Sequence, residues 1–231
     1  MTPQPIIPAV DRGIAPAVLL GLVRAEPVAV GPSGAALIEE TGTLAAELAT
    51  EHAGRSPASI PGLAPARELY RSFGIDPTRT RPSSEALLRR AIKEKPLPRI
   101  SNAVDLCNLC ALRFLLSIGL YDADKITGPV TFRPGAPGES YAGIRKDEVH
   151  LEGRPVLSDD AGPFGNPTSD SLRTSVTSST RSLWMVIFAP STYSRSELEA
   201  SVTNACESMT RHLAPEEVTV ETSGMVVPSH A

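Results

Sequence analysis

Three kinds of side chain in this sequence have the type and spacing to do chemistry: a thiol pair, paired carboxylates, and a dense run of hydroxyls with arginines. Cys107-Asn-Leu-Cys110 is a CxxC. A structural zinc site needs four ligands, yet the one further cysteine is Cys206, and His52, His150, His212 and His230 are scattered. A redox pair would set its first cysteine at a helix N-terminus, where the thiol pKa falls. Cys107 falls inside a predicted helix, so the pair reads as two small residues on a packed surface. Asp122-Ala-Asp124 and Asp159-Asp160 carry the charge for a hard cation. Acids at turns more often accept from backbone N–H groups; capping is the preferred role, and no metal site is expected.

The run from Ser169 to Ser182 has Ser or Thr at nine of fourteen positions, plus Arg173 and Arg181. Two alternatives stay open for it: a solvated loop leading into a strand, or a wall of donors suited to a ribose, phosphate or carboxylate. No GxSxG elbow, Walker loop, GxGxxG fingerprint or HExxH pair is present.

Charge points to a second kind of chemistry. The 231 residues carry 22 basic and 26 acidic side chains, a net −4, which argues against a uniformly basic nucleic-acid coat. Residues 67–99, however, hold 9 basic and 4 acidic groups, a local +5 between flanks of −3 and −6. Arg67, Arg71, Arg79, Arg81, Arg89, Arg90, Lys93, Lys95 and Arg99 make up that stretch. They form either solvated helix faces or a cluster able to neutralise a few phosphates with salt-sensitive affinity. Aromatics at 4% exclude a binder built on rows of stacked rings.

Three cysteines are too few and too odd for a disulfide framework, so a reducing cytoplasm is expected. The longest apolar run, Ala15 to Val23, is broken by Pro16 and Gly21. It falls short of the roughly 20 residues that span a bilayer. Asp11 and Arg12 precede it, against a signal peptide. No membrane partner is expected.

The elements that must position these groups follow from periodicity and turn residues. Residues 1–12 and 223–231 read as flexible tails around one domain over 13–222. Strand character covers 17–24 and 27–30, as a pair or one kinked strand. Ser33 is the expected N-cap of a helix through about Ala53, and residues 54–65 form a Gly/Pro/Ser-rich linker. Helices follow over 66–73, over a segment capped by Ser83 or Ser84 and ended by Pro96, and over 103–116. Strands are expected at 130–133, 141–144, 149–151, 156–158 and 183–188, with 159–170 an irregular polar loop. An amphipathic helix over 194–213 and an edge strand over 217–221 complete the chain. That order implies an α+β fold in layers, not a doubly wound sheet.

Five ordered segments carry a family resemblance. Residues 70–90 (YRSFGIDPTRTRPSSEALLRR) resemble the opening signature of freestanding B3/B4 domain proteins. Residues 98–108 (PRISNAVDLCN), 121–126 (YDADKI), 157–160 (LSDD) and 173–181 (RTSVTSSTR) resemble, in the same order, the B3/B4 region of the bacterial phenylalanyl-tRNA synthetase beta subunit. The resemblance implies a layered α+β fold around a β-sandwich of unusual topology flanked by helices. It also implies tRNA or aminoacyl-tRNA as partner and hydrolysis of misacylated ester. That ester is already activated, so orienting water and holding an oxyanion suffices, with no cofactor, metal or covalent nucleophile.

Carried over residue by residue, the family's Thr-Asn pair falls on Cys107 and Asn108, its pocket histidine on Gly119, and its glutamate near Leu172, with Asp170 two residues away. Arg173 and Thr174 complete the implied pocket; no catalytic residue is assigned. Arg79, Arg81, Arg89, Arg90, Lys93 and Arg99 form the implied tRNA face. Loss of both polar anchors speaks against selectivity for a tyrosine hydroxyl. The expected function is a trans-acting deacylase of misacylated tRNA. The alternatives are a noncatalytic tRNA or aminoacyl-tRNA binding module and a protein that binds a free amino acid or other small metabolite.

Overall fold

The computed structural model describes residues 6–144, 148–213 and 219–223. In chain order the elements are β1 (Ala9–Val10), β2 (Val18–Glu26), α1 (Ala35–Glu51), α2 (Ala64–Ser72), α3 (Ser83–Ile92), α4 (Asn102–Phe114), β3 (Ser117–Asp122), β4 (Thr131–Pro134), β5 (Ser140–Tyr141), β6 (Val149–His150), β7 (Pro155–Asp159), β8 (Gly162–Asn166), β9 (Ser169–Asp170), β10 (Leu183–Pro190), α5 (Arg195–Leu213) and β11 (Thr219–Ser223).

Successive side chains of a strand point to opposite faces, and β10 is buried at all its positions, so both of its faces need cover. It lies inside a central antiparallel sheet of order β11-β2-β10-β3. Trp184, Val186 and Phe188, with Leu20, Leu22 and Tyr121, face Phe132, Leu157 and Phe164 of the outer sheet, ordered β1-β4-β7-β8-β9. Met185, Ile187 and Ala189, with Leu19, Val23 and Leu120, face α4 and α5. The result is sheet on sheet on helices. On its far side α4 packs Ala111 and Leu112 against Leu87 and Leu88 of α3, with Leu44 and Leu48 of α1 alongside. Gly21 brings α5 directly onto β2, because a Cβ there would fall 2.7 Å from Val202 Cγ2.

The layered α+β class is the one the sequence implies, but several elements differ. The strand at 17–24 runs on to Glu26, and the Glu26–Pro27 peptide is cis. β3 and β8 arise where no strand is expected; β8 lies inside the stretch read as a polar loop. Ser33 does not cap α1, whose N-cap is Gly34; its hydroxyl donates instead to Asp105 at 2.6 Å. Neither Ser83 nor Ser84 caps α3, since Pro82 holds that position. The segment assigned to an N-terminal tail contains β1, paired in parallel with β4. Residues 1–5 and 224–231 of the two tails lie outside the described residues. Among the described residues no helix is long and apolar enough to cross a membrane.

Two carboxylates tie the helices together. Glu85 of α3, its side chain 1% exposed, accepts two hydrogen bonds from Arg67 of α2 (2.8 and 3.0 Å) and one from Arg89 (3.1 Å). Glu40 of α1 takes Arg113 of α4 at 2.7 Å and His212 of α5 at 2.8 Å. Partial burial works to raise the Glu40 pKa, but the Arg113 and His212 hydrogen bonds and charges prevail and hold it at about 2. The folded value thus lies below that of the unfolded chain. Its contribution is complete above about pH 5 and is lost as pH falls toward 2. Replacing Glu40 with Gln should lower stability at pH 7 by about 1 kcal/mol. In urea titrations the gap to wild type should close between pH 5 and pH 2.

Candidate functional site

The start of α4 is clamped. Ser101 caps it through Val104 N (3.4 Å), and Asn102 accepts from Gly31 N (3.0 Å) while donating to Ala29 O (2.8 Å). Asp105 accepts from Ile100 N at 2.9 Å and from the Ser33 hydroxyl. With α4 fixed in this way, Cys107 and Asn108 are separated by about 100° around the helix and look into different environments.

Asn108 opens onto a cleft of about 640 Å³ between α1, α4 and the segment following α3. Leu37, Ile38, Ala45, Ala49, Ala91 and Leu97 give it an apolar lining; Ser33, Thr41, Asp105, Glu94, Lys95 and Arg99 supply its polar groups. Arg90 of α3 donates to Pro96 O at 2.9 Å, holding the segment that follows its helix. Lys93, Lys95 and Arg99 are exposed.

Cys107 turns the other way, toward Tyr121 of β3 and Asp170 of β9. Burial, then the neighbouring Cys110 thiol and Asp170 carboxylate, push its thiol well above the ordinary range. Burial does the same to the Tyr121 phenol, whose hydroxyl faces Asp170. Tyr141, which donates to Ser169 O, is also raised, and Tyr70, which donates to Pro167 O at 2.6 Å, is pushed up to about 12. The groups around Asp170 are therefore held protonated, and Cys107 offers no thiolate at neutral pH.

The predicted pocket residues thus separate. Cys107, Gly119 and Asp170 gather around Tyr121, while Asn108 lies in the cleft. Leu172 is a surface residue, 58% exposed. Arg173 grips Asp159 with two hydrogen bonds (2.8 and 3.1 Å), donates to Lys125 O and Gly162 O, and lies over the Phe164 ring. Thr174 is buried, its hydroxyl on Phe164 O and beside Ser171. Thr180 donates to Asp122 at 2.7 Å and accepts from Thr177 N. Much of the hydroxyl run is thus engaged with its own fold. Asp122 and Asp159 accept backbone N–H groups from Asp124, Ala161 and Thr127. Among the described residues no three His, Cys, Asp or Glu gather to hold a metal.

The basic stretch divides likewise. Arg81 and Arg89 lean on Glu85, whereas the Arg79 side chain is 90% exposed with only a 3.8 Å approach to Asp76. Solvent-facing charge beside the cleft comes from Lys93, Lys95 and Arg99. Sequence reasoning missed Asp105 and Tyr121 as site residues. A Ser and an Asp 72 positions apart give no local signal, and Tyr121 points inward only because β3 exists.

Residues 65–221 match the family model of the B3/4 domain. The chain belongs to the B3/4 domain family. The B3/4 match runs from α2 into β11, and includes both Asn108 and the Tyr121 cluster, whereas β2 and α1 precede it. A crystal structure of an N-terminal fragment of the phenylalanyl-tRNA synthetase beta subunit from Pyrococcus horikoshii is similar to it at 15% identity and a TM-score of 0.40. That likeness covers 89% of this chain and 51% of the other, so the chain spans about half of that fragment. No curated protein matches.

In this B3/4 domain the Cys107 thiol should resist alkylation. Iodoacetamide at pH 8 followed by peptide mapping should show modification at least about tenfold slower than for a free cysteine.

Proposed function

We propose that this B3/4 domain binds the aminoacylated end of tRNA and, acting in trans, hydrolyses the ester of misacylated species. The observation that carries this reading is the cleft of about 640 Å³ in which Asn108 meets Lys95 and Arg99. Its volume lies within the range of small-ligand sites, and an apolar lining with a few polar groups is their usual make-up. Lys93, Lys95 and Arg99 stand where phosphates of an acceptor strand would need cations. Asn108 supplies an amide group to orient a water at an already activated ester, while the Ser33 and Thr41 hydroxyls beside it donate to Asp105 and Leu37 O. Family membership and the five ordered motifs support tRNA as partner.

A noncatalytic aminoacyl-tRNA binding module is the second reading. It is favoured by burial of the Cys107 thiol and the Tyr121 phenol, both raised so far that neither is a nucleophile or a base at neutral pH. Both readings share one docking surface.

A panel of mischarged tRNAs separates them. At least one should release its amino acid well above the buffer rate, and Asn108→Ala should slow that release by about tenfold or more. If none is hydrolysed, the deacylase reading falls. Combined charge reversal at Lys93, Lys95 and Arg99 should weaken tRNA binding and flatten its dependence on log salt by about one unit per lost phosphate contact. Unchanged affinity would place the RNA surface elsewhere. Stabilisation by a free amino acid but not by tRNA in a thermal-shift screen would favour a metabolite-binding protein.

A further inference from the structure

Glu85 gathers more positive charge than it can balance. One carboxylate, its side chain 1% exposed, meets Arg67 through two hydrogen bonds, Arg89 through one at 3.1 Å, and Arg81 at 3.5 Å. Burial works to raise its pKa, but the hydrogen bonds and charges of Arg67 and Arg89 prevail and hold it below the ordinary range. It is therefore ionised at neutral pH, and three guanidiniums on one carboxylate leave the group at +2. A guanidinium carries five N–H donors, and Glu85 accepts three hydrogen bonds in all, so most donors of the three arginines are left over. Arg81 and Arg89, with side chains 40% and 35% exposed, present theirs to solvent. Arg67 extends the charge to a second feature. With Arg71, one turn further along α2, it lines a hollow of about 160 Å³ bounded by Ser59, Ile60, Pro61 and Ala64. No carboxylate is among these residues. The Arg71 side chain is exposed and makes no hydrogen bond or ion pair among the described residues; it shares the field of Asp76 with Arg79. Ala64 begins α2, so the positive end of the helix dipole borders the same hollow.

We propose that this cluster is a phosphate-binding site: Arg71, Arg81 and Arg89, with Arg67 fixed among them by Glu85, hold a backbone phosphate of an RNA strand at a place distinct from the Asn108 cleft. That the phosphate belongs to RNA rests on the tRNA reading above; the anion site does not. Planar guanidinium forks match phosphate oxygens two at a time. Glu85 holds Arg67 and Arg89 in place beforehand, so less side-chain freedom is lost when the anion arrives. Charge continuity favours a strand over a single free anion. α3 has ten residues and so runs about 15 Å, from the Arg81 end to Lys93, Lys95 and Arg99 at the cleft. At a rise of 3.4 Å per nucleotide along one strand, roughly four or five nucleotides bridge the two places.

Combining Arg71→Gln with Arg81→Gln removes two charges and leaves the hydrogen bonds of Arg67 and Arg89 to Glu85 in place, so Tm should stay within about 3 °C of wild type. At about 0.1 M salt the double variant should bind tRNA at least about fivefold more weakly, and the slope of log affinity against log salt should flatten by about one to two units. An unchanged slope, in a protein whose tRNA binding does respond to charge reversal at Lys93, Lys95 and Arg99, would overturn the site and leave the docking surface at the cleft intact. Inorganic phosphate is the second probe. About 20 mM phosphate should raise the wild-type Tm by about 2 °C over sodium chloride of equal ionic strength, and the double variant should not respond. An equal phosphate shift in both proteins would overturn the site. If phosphate stabilises wild type alone but no tRNA binds, the RNA assignment falls together with the reading above, while the anion site stands. Displacement of bound tRNA by polyglutamate at matched charge would overturn the preference for phosphate.

Discussion

The structure depends on a sheet that leaves neither face to water. β10 is apolar at every position and buried throughout, flanked by β2 and β3, which send alternate side chains to the same two cores. Burying a side chain such as Leu or Phe contributes about 1.5–3 kcal/mol, so a strand apolar on both sides secures two neighbouring layers at once. One layer is the outer sheet. The other is the pair α4 and α5, and Gly21 sets how closely α5 sits. The height of α4 over the sheet then determines everything polar that follows: Leu106, Leu109 and Cys110 face the sheet, which leaves Asn108 toward α1 and Cys107 toward β3 and β9.

What was legible in the sequence is what is encoded locally. Helices α3, α4 and α5 and strands β2 and β10 show their periods over enough residues to be read, and the motif order gives the family. β3 (SIGLYD) and β8 (GPFGN) do not. One begins with Ser and holds a Gly; the other consists of turn formers around one Phe, and becomes a strand only because β7 and β9 pair with it. Capping fails to read for a similar reason. Ser33 has the right residue type at a helix start, yet a carboxylate 72 residues away takes its hydroxyl.

Charge counting has the same limit. The local +5 is real, but it is a sum over residues whose partners lie on other elements. Glu85 alone engages Arg67, Arg81 and Arg89, so three of the nine are turned onto one carboxylate, and Arg67 joins α2 to α3 through it. Arg173 is similarly held by Asp159 under the loop that follows β9. The hydroxyl-rich run, with Thr174 and Thr180 turned inward, braces the end of β3 through Asp122 N and its carboxylate. Side chains that look like recognition groups in one dimension are largely fold-forming in three. At the cleft beside Asn108 it is Lys95 and Arg99 that remain turned toward solvent.

The close approach of Tyr121 to Gly119 and Gly165 also constrains how this sequence can change. While the phenol is in place, any side chain at either glycine collides with it, so each of those two substitutions is blocked. Shrinking residue 121 removes both collisions and lifts both restrictions together. The two glycines and the tyrosine are therefore one steric unit, in which the size of residue 121 sets what either glycine position can hold.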